Sequence, residues 1–218
     1  HNLRIVHSWG MTELCPIGTI GSVPHRLSQA SSEEQYAFRA KQGRPCAMVE
    51  VRARNENGMV PWDGQSMGEL EVRGPWIASG YYNRPDAHTS FTEDGWFRTG
   101  DIGSIDPEGF LQISGRIKEL INRGGEKISP FEIEAVLSKH PDVLEAVAFA
   151  VAHPRLGEDV GAAVVLRPGA TVAAGEFRRF MGEQLSWNKV PRRVHIVESI
   201  PKGGPGKVLR NKLQELYS

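Results

Sequence analysis

The chain has 218 residues, 26 Lys+Arg against 26 Asp+Glu, and 39% hydrophobic residues, which suits one large domain or two small ones with a sizeable core. A net charge of zero excludes the uniformly basic footprint of a nucleic-acid binder. No apolar run approaches the roughly 18 residues needed to cross a bilayer, and two cysteines, Cys15 and Cys46, make no disulfide framework or zinc site and read as reduced cytoplasmic thiols.

The chain opens on His1-Asn2 with no initiator methionine or signal peptide, so it is expected to be the C-terminal portion of a longer protein. Residues 3–6 form an apolar run that reads as a strand, and residues 28–42 are polar and compatible with a helix. Residues 48–53 and 69–73 alternate apolar and polar side chains, as half-buried strands do, with turn dipeptides Asn57-Gly58 and Asp63-Gly64 between them. Gly74-Pro75, Asn83-Arg84-Pro85 and Asp94-Gly95 punctuate the next stretch, and residues 110–114 read as a further strand. Residues 1–115 are therefore expected to be mostly β, curled into a barrel-like subdomain.

Beyond residue 115 helix and strand signals mix. Ser129 and Glu132 around Pro130 predict a helix start with a capping box, and Ile133, Val136 and Leu137 continue it as an apolar stripe. Residues 146–151 and 162–166 are unbroken apolar runs suited to a sheet covered on both faces. Phe177, Phe180, Met181 and Leu185 mark an amphipathic helix, residues 194–197 a third strand, and residues 208–217 a closing helix. The expectation for residues 116–218 is a small α+β domain with a central three-stranded sheet and flanking helices. Charge divides at the same place: residues 1–115 carry 10 Lys+Arg against 14 Asp+Glu, and residues 116–218 carry 16 against 12. A basic second domain suits contact with anionic groups such as phosphates.

Four polar clusters could carry chemistry. Trp9-Gly10-Met11-Thr12-Glu13 sets a hydroxyl and a carboxylate past a strand, where ligands of α/β proteins gather. Phe97-Arg98-Thr99-Gly100-Asp101 sets a carboxylate after a glycine turn, an acceptor suited to ribose hydroxyls. Gly115-Arg116-Ile117-Lys118 opens the domain junction. Pro201-Lys202-Gly203-Gly204-Pro205-Gly206-Lys207 presents an ammonium on a flexible loop, and it lacks the Gly and Ser/Thr positions of a P-loop. Taken singly, each cluster is more simply a cap or a turn.

Together, in this order, the clusters resemble the adenylate-forming (ANL) superfamily of acyl-CoA synthetases, adenylation domains and luciferases. The resemblance extends through Gly68-Glu69-Leu70-Glu71-Val72-Arg73-Gly74-Pro75, Gly80-Tyr81-Tyr82, and the run from Glu119-Leu120-Ile121-Asn122-Arg123-Gly124-Gly125-Glu126 to Pro130. It implies an AMP-forming acid:CoA ligase working in two steps. A carboxylate attacks ATP, with Mg²⁺, to give acyl-AMP, and CoA then displaces AMP. It further implies that residues 1–115 end the large AMP-binding domain and that residues 116–218 form a mobile domain with a hinge near 116–119.

By the same resemblance, Thr12 binds the α-phosphate and Glu13 is the Mg²⁺ carboxylate. Trp9, where the family often has Tyr, and Gly10 line the nucleotide and acyl pocket. Asp101 holds the ribose with Arg116 beside it, Lys118 is the hinge residue, Gly124 and Gly125 flank the CoA tunnel, and Lys207 is the adenylation lysine. The family's loop for the β- and γ-phosphates would lie upstream, so these residues alone are expected to be inactive. Residues 9–19 look most like fatty acyl-CoA synthetases and residues 116–130 more like ligases of shorter or dicarboxylic acids, with a medium- or long-chain fatty acid placed first. Two alternatives stay open: a peptide-synthetase adenylation domain feeding a carrier protein, and a non-catalytic nucleotide-binding module. The residues carry no signal for oligomeric state.

Overall fold

A computed structural model describes residues 5–204 and 206–217. Residues 1–4, Pro205 and Ser218 lie outside the described residues, and with them part of the expected first strand and of the lysine loop. The chain divides into two compact units, one ending at Ile117 and the other beginning at Lys118.

The first unit carries two sheets. Strands β1 (Ser8–Trp9), β2 (Thr19–Ile20) and β3 (Arg44–Pro45) form a small antiparallel sheet in that order, with helix α1 (Ser32–Arg39) between β2 and β3. The α1 start is a true capping box, Ser31 and Glu34 exchanging hydrogen bonds. Strands β4 (Glu50–Asn55), β5 (Gly58–Met59), β6 (Gly68–Arg73), β7 (Phe97–Ile105) and β8 (Leu111–Arg116) form an antiparallel sheet in the order β5-β4-β6-β7-β8. Its inward residues Val51, Ala53, Leu70, Val72, Phe97 and Ile105 bury one core with Trp9 and Leu14. Thus the segment after β1 is pinned onto the larger sheet.

The sheets are open, which corrects the barrel-like expectation: β5 is only two residues long and offers β8 nothing to pair with. A second correction concerns β7. Its Gly-, Thr- and Asp-containing sequence reads as turn, yet β6 and β8 hydrogen-bond it on both sides, and that context outweighs weak intrinsic strand preference.

The second unit is α+β, as expected, but its sheet has five strands rather than three. A hairpin of β9 (Ile121–Arg123) and β10 (Glu126–Ile128) joins β11 (Val143–His153), β12 (Gly157–Leu166) and β13 (Arg193–Ile196), the last parallel to β12. Helices α2 (Pro130–Leu137) and α3 (Ala174–Gly182) bury Ile133, Leu137, Phe177 and Met181 against one face with Ala148 and Ala162. Helix α4 (Arg210–Tyr217) buries Leu213 against the other face with Val147, Phe149 and Ala163. Alternate residues of β11 thus point to opposite cores, which is why its sequence reads as continuously apolar. Pro130 occupies the first turn of α2, but Ser129 makes no side-chain cap to that helix and Glu132 pairs with Lys189 at 2.8 Å. The capping box expected there is therefore absent.

Candidate active site

In the first unit the site grows from the end of β1. Gly10 follows Trp9 where a Cβ would lie 1.9 Å from the Pro16 carbonyl oxygen, so no other residue fits without moving backbone. The chain then makes a 3-10 turn, Thr12–Leu14, anchored by buried Leu14. Thr12 begins that turn and is exposed. Glu13 Oε1 accepts from the Tyr81 hydroxyl at 2.6 Å, and the Glu13 carbonyl accepts from Ala78 N–H at 2.8 Å. The hydrogen bond to Glu13 pushes the Tyr81 phenol up to about 12. Tyr81 belongs to a quoted motif, but no role attached to it from sequence, because its partner lies 68 positions away.

Asp101 sits within β7, opposite Arg116 of β8, and not after a free turn as its Gly-Asp spacing suggests. Glu69 pairs with Ile102 and Glu71 with Arg98, so Thr99, Gly100 and Asp101 bulge opposite Leu70. Gly100 supplies the bulge's positive φ of 73°. Thr99 Oγ1 locks it, donating to the Leu70 carbonyl at 2.7 Å and accepting from Asp101 N–H at 3.1 Å. A bulge re-aims a side chain within a rigid sheet. Here it delivers a carboxylate that is 4% exposed.

Asp101 Oδ2 accepts from the buried Trp9 indole N–H at 2.7 Å. Oδ1 lies 2.9 Å from Arg116 Nε as an ion pair, but the N–H is not aimed at it, and among the described residues Oδ1 receives no hydrogen bond. Buried acceptors are normally hydrogen-bonded, and Oδ1 has the Arg116 charge beside it but no donor aimed at it among the described residues. Trp9, Asp101 and Arg116 are thus brought together, with Trp9 orienting the carboxylate.

Among the described residues no group of three or more His, Cys, Asp and Glu could cage a metal ion. Glu13 as a lone hard carboxylate fits Mg²⁺, which is commonly held by one or two carboxylates, substrate phosphates and water.

The second unit holds the remaining candidates. Gly124 and Gly125 are the two-residue loop of the β9–β10 hairpin, with φ of 62° and 96°. Both positive values are what a type I′ turn demands, so the hairpin itself calls for glycine at both positions. A Cβ on Gly124 would come within 3.0 Å of Leu156, whereas one on Gly125 would meet open space. Lys207 is exposed on the loop before α4. That loop is tighter than its glycines suggest: Gly203 N–H donates to the Lys207 carbonyl at 2.8 Å, Leu209 N–H to Pro201 at 2.9 Å, and Lys202 bridges to Val208. Lys202 pairs with Glu145 at 2.9 Å, while Lys207 holds no carboxylate among the described residues. Lys207 and Lys118 line one cleft of about 380 Å³ with Glu119 and Arg210.

Comparison with known proteins identifies the family. Residues 1–82 match the family described as AMP-binding enzyme, and residues 132–207 its AMP-binding enzyme C-terminal domain. The chain is 35% identical over 218 residues to a medium-chain-fatty-acid–CoA ligase of Ectopseudomonas oleovorans, covering 100% of this chain and 40% of that protein. It is 46% identical over 168 residues to an oxalate–CoA ligase of Arabidopsis thaliana, covering 77% of this chain and 32% of that one. The fold is similar to ATP-bound MatB from Rhodopseudomonas palustris, with a TM-score of 0.84 and 32% identity over 98% of this chain and 40% of MatB. The chain therefore spans about 40% of the length of curated relatives that it matches from end to end.

Proposed function

Because this chain belongs to the AMP-binding enzymes of the adenylate-forming superfamily, we propose that it is the C-terminal portion of an AMP-forming acid:CoA ligase, completing the nucleotide pocket and supplying the adenylation lysine. The observation that carries the proposal is the buried, donor-free Oδ1 of Asp101. An ionised carboxylate accepts only, and with one oxygen held by Trp9 the other takes a ribose hydroxyl. Arg116 covers the same carboxylate from the exposed side.

In the first half-reaction the acid's carboxylate oxygen attacks the α-phosphorus of ATP, and pyrophosphate leaves. Attack brings two anions together, and an ammonium between them offsets the repulsion. Lys207 is the cation for this: exposed, unpaired, and carried on a hydrogen-bonded loop. The Thr12 hydroxyl donates to an α-phosphate oxygen, and Glu13 presents the carboxylate that holds Mg²⁺. That ion, when bound, neutralises charge on the leaving phosphates. In the second half-reaction the CoA thiolate attacks the acyl carbon and AMP leaves, with Gly124 and Gly125 beside the thiol's path and Lys118 acting as the hinge between the two steps.

The acid placed first is a medium- or long-chain fatty acid, supported by fatty-acid ligases that match the whole chain or nearly all of it at 35–36% identity; oxalate and other short acids form the second arm, supported by oxalate ligases at 46% over 77% of the chain and 43% over all of it. ATP–pyrophosphate exchange by the whole protein across both groups of acids, followed by thioester formation with CoA, is the test. Exchange that no acid stimulates, or adenylate that CoA does not consume, would sink the reading. Residues 1–218 alone are expected to give no exchange, and a bulky residue at Gly125 to spare exchange while slowing thioester formation.

A further inference from the structure

Three positions beyond Lys207, at the first residue of α4, Arg210 is engaged through every guanidinium nitrogen. Its Nε donates to Glu119 Oε2 at 3.1 Å, Nη1 to Glu134 Oε1 at 2.5 Å and to the Ala148 carbonyl at 3.1 Å, and Nη2 to Glu134 Oε2 at 3.3 Å. Its guanidinium also lies 5.1 Å from the centre of the Phe131 ring. Glu134 accepts in addition from Ala148 N–H at 2.9 Å. One side chain, 15% exposed, therefore joins α2, β11 and the turn carrying Glu119, next to Lys118.

Buried ion pairs are weak stabilisers, because desolvation offsets attraction and apolar replacements of similar volume are commonly neutral or better. A planar guanidinium with five donors is, by contrast, an effective device for fixing geometry. What it fixes here is the lysine loop. One end of that loop is held to β11 by Lys202 and Glu145, the hydrogen bonds at Gly203–Lys207 and Pro201–Leu209 brace its middle, and Arg210 fastens the other end to β11 at Ala148.

The geometry points to Arg210 as the positioning residue for Lys207: it sets where the ammonium stands for adenylation and, through Glu119, ties the lysine loop to the segment that begins at Lys118. This rests on the role proposed above for Lys207. Arg210 does not touch the reacting atoms; it acts through the loop.

The test is made in the whole protein with the double variant Arg210→Met/Glu134→Gln, which removes both charges of the more buried pair and leaves only the Glu119 carboxylate, 25% exposed, without its partner. Since displacement of a catalytic group by about 1 Å costs roughly 10²-fold, kcat for acid-dependent ATP–pyrophosphate exchange should fall by about that factor. KM for ATP should stay within about twofold, and CoA thioester formation from supplied acyl-adenylate should hold within about threefold. Adding Lys207→Ala should give no loss beyond that of Lys207→Ala alone, because residues acting as one unit are not additive. Equal losses in both half-reactions, or an additive loss on top of Lys207→Ala, overturn the inference while leaving the Lys207 role standing. Exchange retained by Lys207→Ala overturns that role instead. Should melting show the double variant unfolded, Glu119→Gln decides: it keeps the Glu134 pair, a kcat loss of about tenfold confined to exchange supports the inference, and an unchanged kcat overturns it.

Discussion

The carboxylate at Asp101 and the ammonium at Lys207 are presented in contrasting ways. Asp101 is 4% exposed, fixed by a strand bulge, and held at one oxygen by an indole that is itself buried. Lys207 is exposed, and only its backbone is held. On the roles proposed above, the difference follows from what each group would be asked to do. A ribose contact needed in both half-reactions gains from being set in advance, where low local dielectric strengthens it. An ammonium needed in one half-reaction is better stored in water, where its charge costs nothing while it waits.

The largest expected effect lies on the exposed side of this contrast. Lys207→Ala should lower acid-dependent exchange by about 10²–10³-fold and leave thioester formation from supplied acyl-adenylate in place, measured as the two half-reactions on one preparation. If both fall together with melting unchanged, the contrast dissolves. On the preset side, Asp101→Ala should weaken AMP binding by about 1.5–3 kcal/mol, the range for a hydrogen bond to a charged group, as read by calorimetry. Unaltered affinity would mean that the donor-free oxygen has no nucleotide partner. Gly10→Ala should cost about 1–3 kcal/mol in denaturant unfolding, because its Cβ meets the Pro16 carbonyl backbone, which cannot swing away as a side chain would.

The smallest effect is at Tyr81. Its phenol is pushed up to about 12 by the hydrogen bond to Glu13. The folded value is thus above the unfolded one of about 10, so this contribution is complete below pH 10 and disappears as pH rises from 10 to 12. Tyr81 is largely solvated, so the amount is below about 1 kcal/mol. Tyr81→Phe should flatten the alkaline fall of the melting curve slightly over that window and change nothing near neutrality. A wild-type and variant pair with parallel curves from pH 9 to 12 would show that the hydrogen bond does not persist in solution.

Much of the second unit was legible in the sequence, because β11 and β12 carry apolar runs whose burial on both faces needs no long-range information. The hairpin of β9 and β10 was missed: Gly124-Gly125 fits a tunnel loop and a type I′ turn equally well, and only pairing with Arg123 and Glu126 distinguishes the turn. In the first unit β7 was hidden because Thr99, Gly100 and Asp101 look like a turn and become strand only between two neighbours. Asp101 and Trp9 were both singled out as candidates, but the hydrogen bond that joins them was not legible, since they lie 92 positions apart. The same holds for Arg210, whose carboxylates stand 91 and 76 positions upstream. Local pattern reveals the groups; separation in sequence conceals what orients them.

The bond between Trp9 and Asp101 has an optical consequence. An indole sealed from water and donating to a carboxylate feels every change in that carboxylate's charge environment, so, on the role proposed for Asp101, its emission should move when a sugar hydroxyl reaches the neighbouring oxygen. With five tryptophans in the chain, the signal is isolated by subtracting the spectrum of Trp9→Phe. On that reading Trp9 would serve as a fluorescent gauge of site occupancy, readable without a label and without turnover.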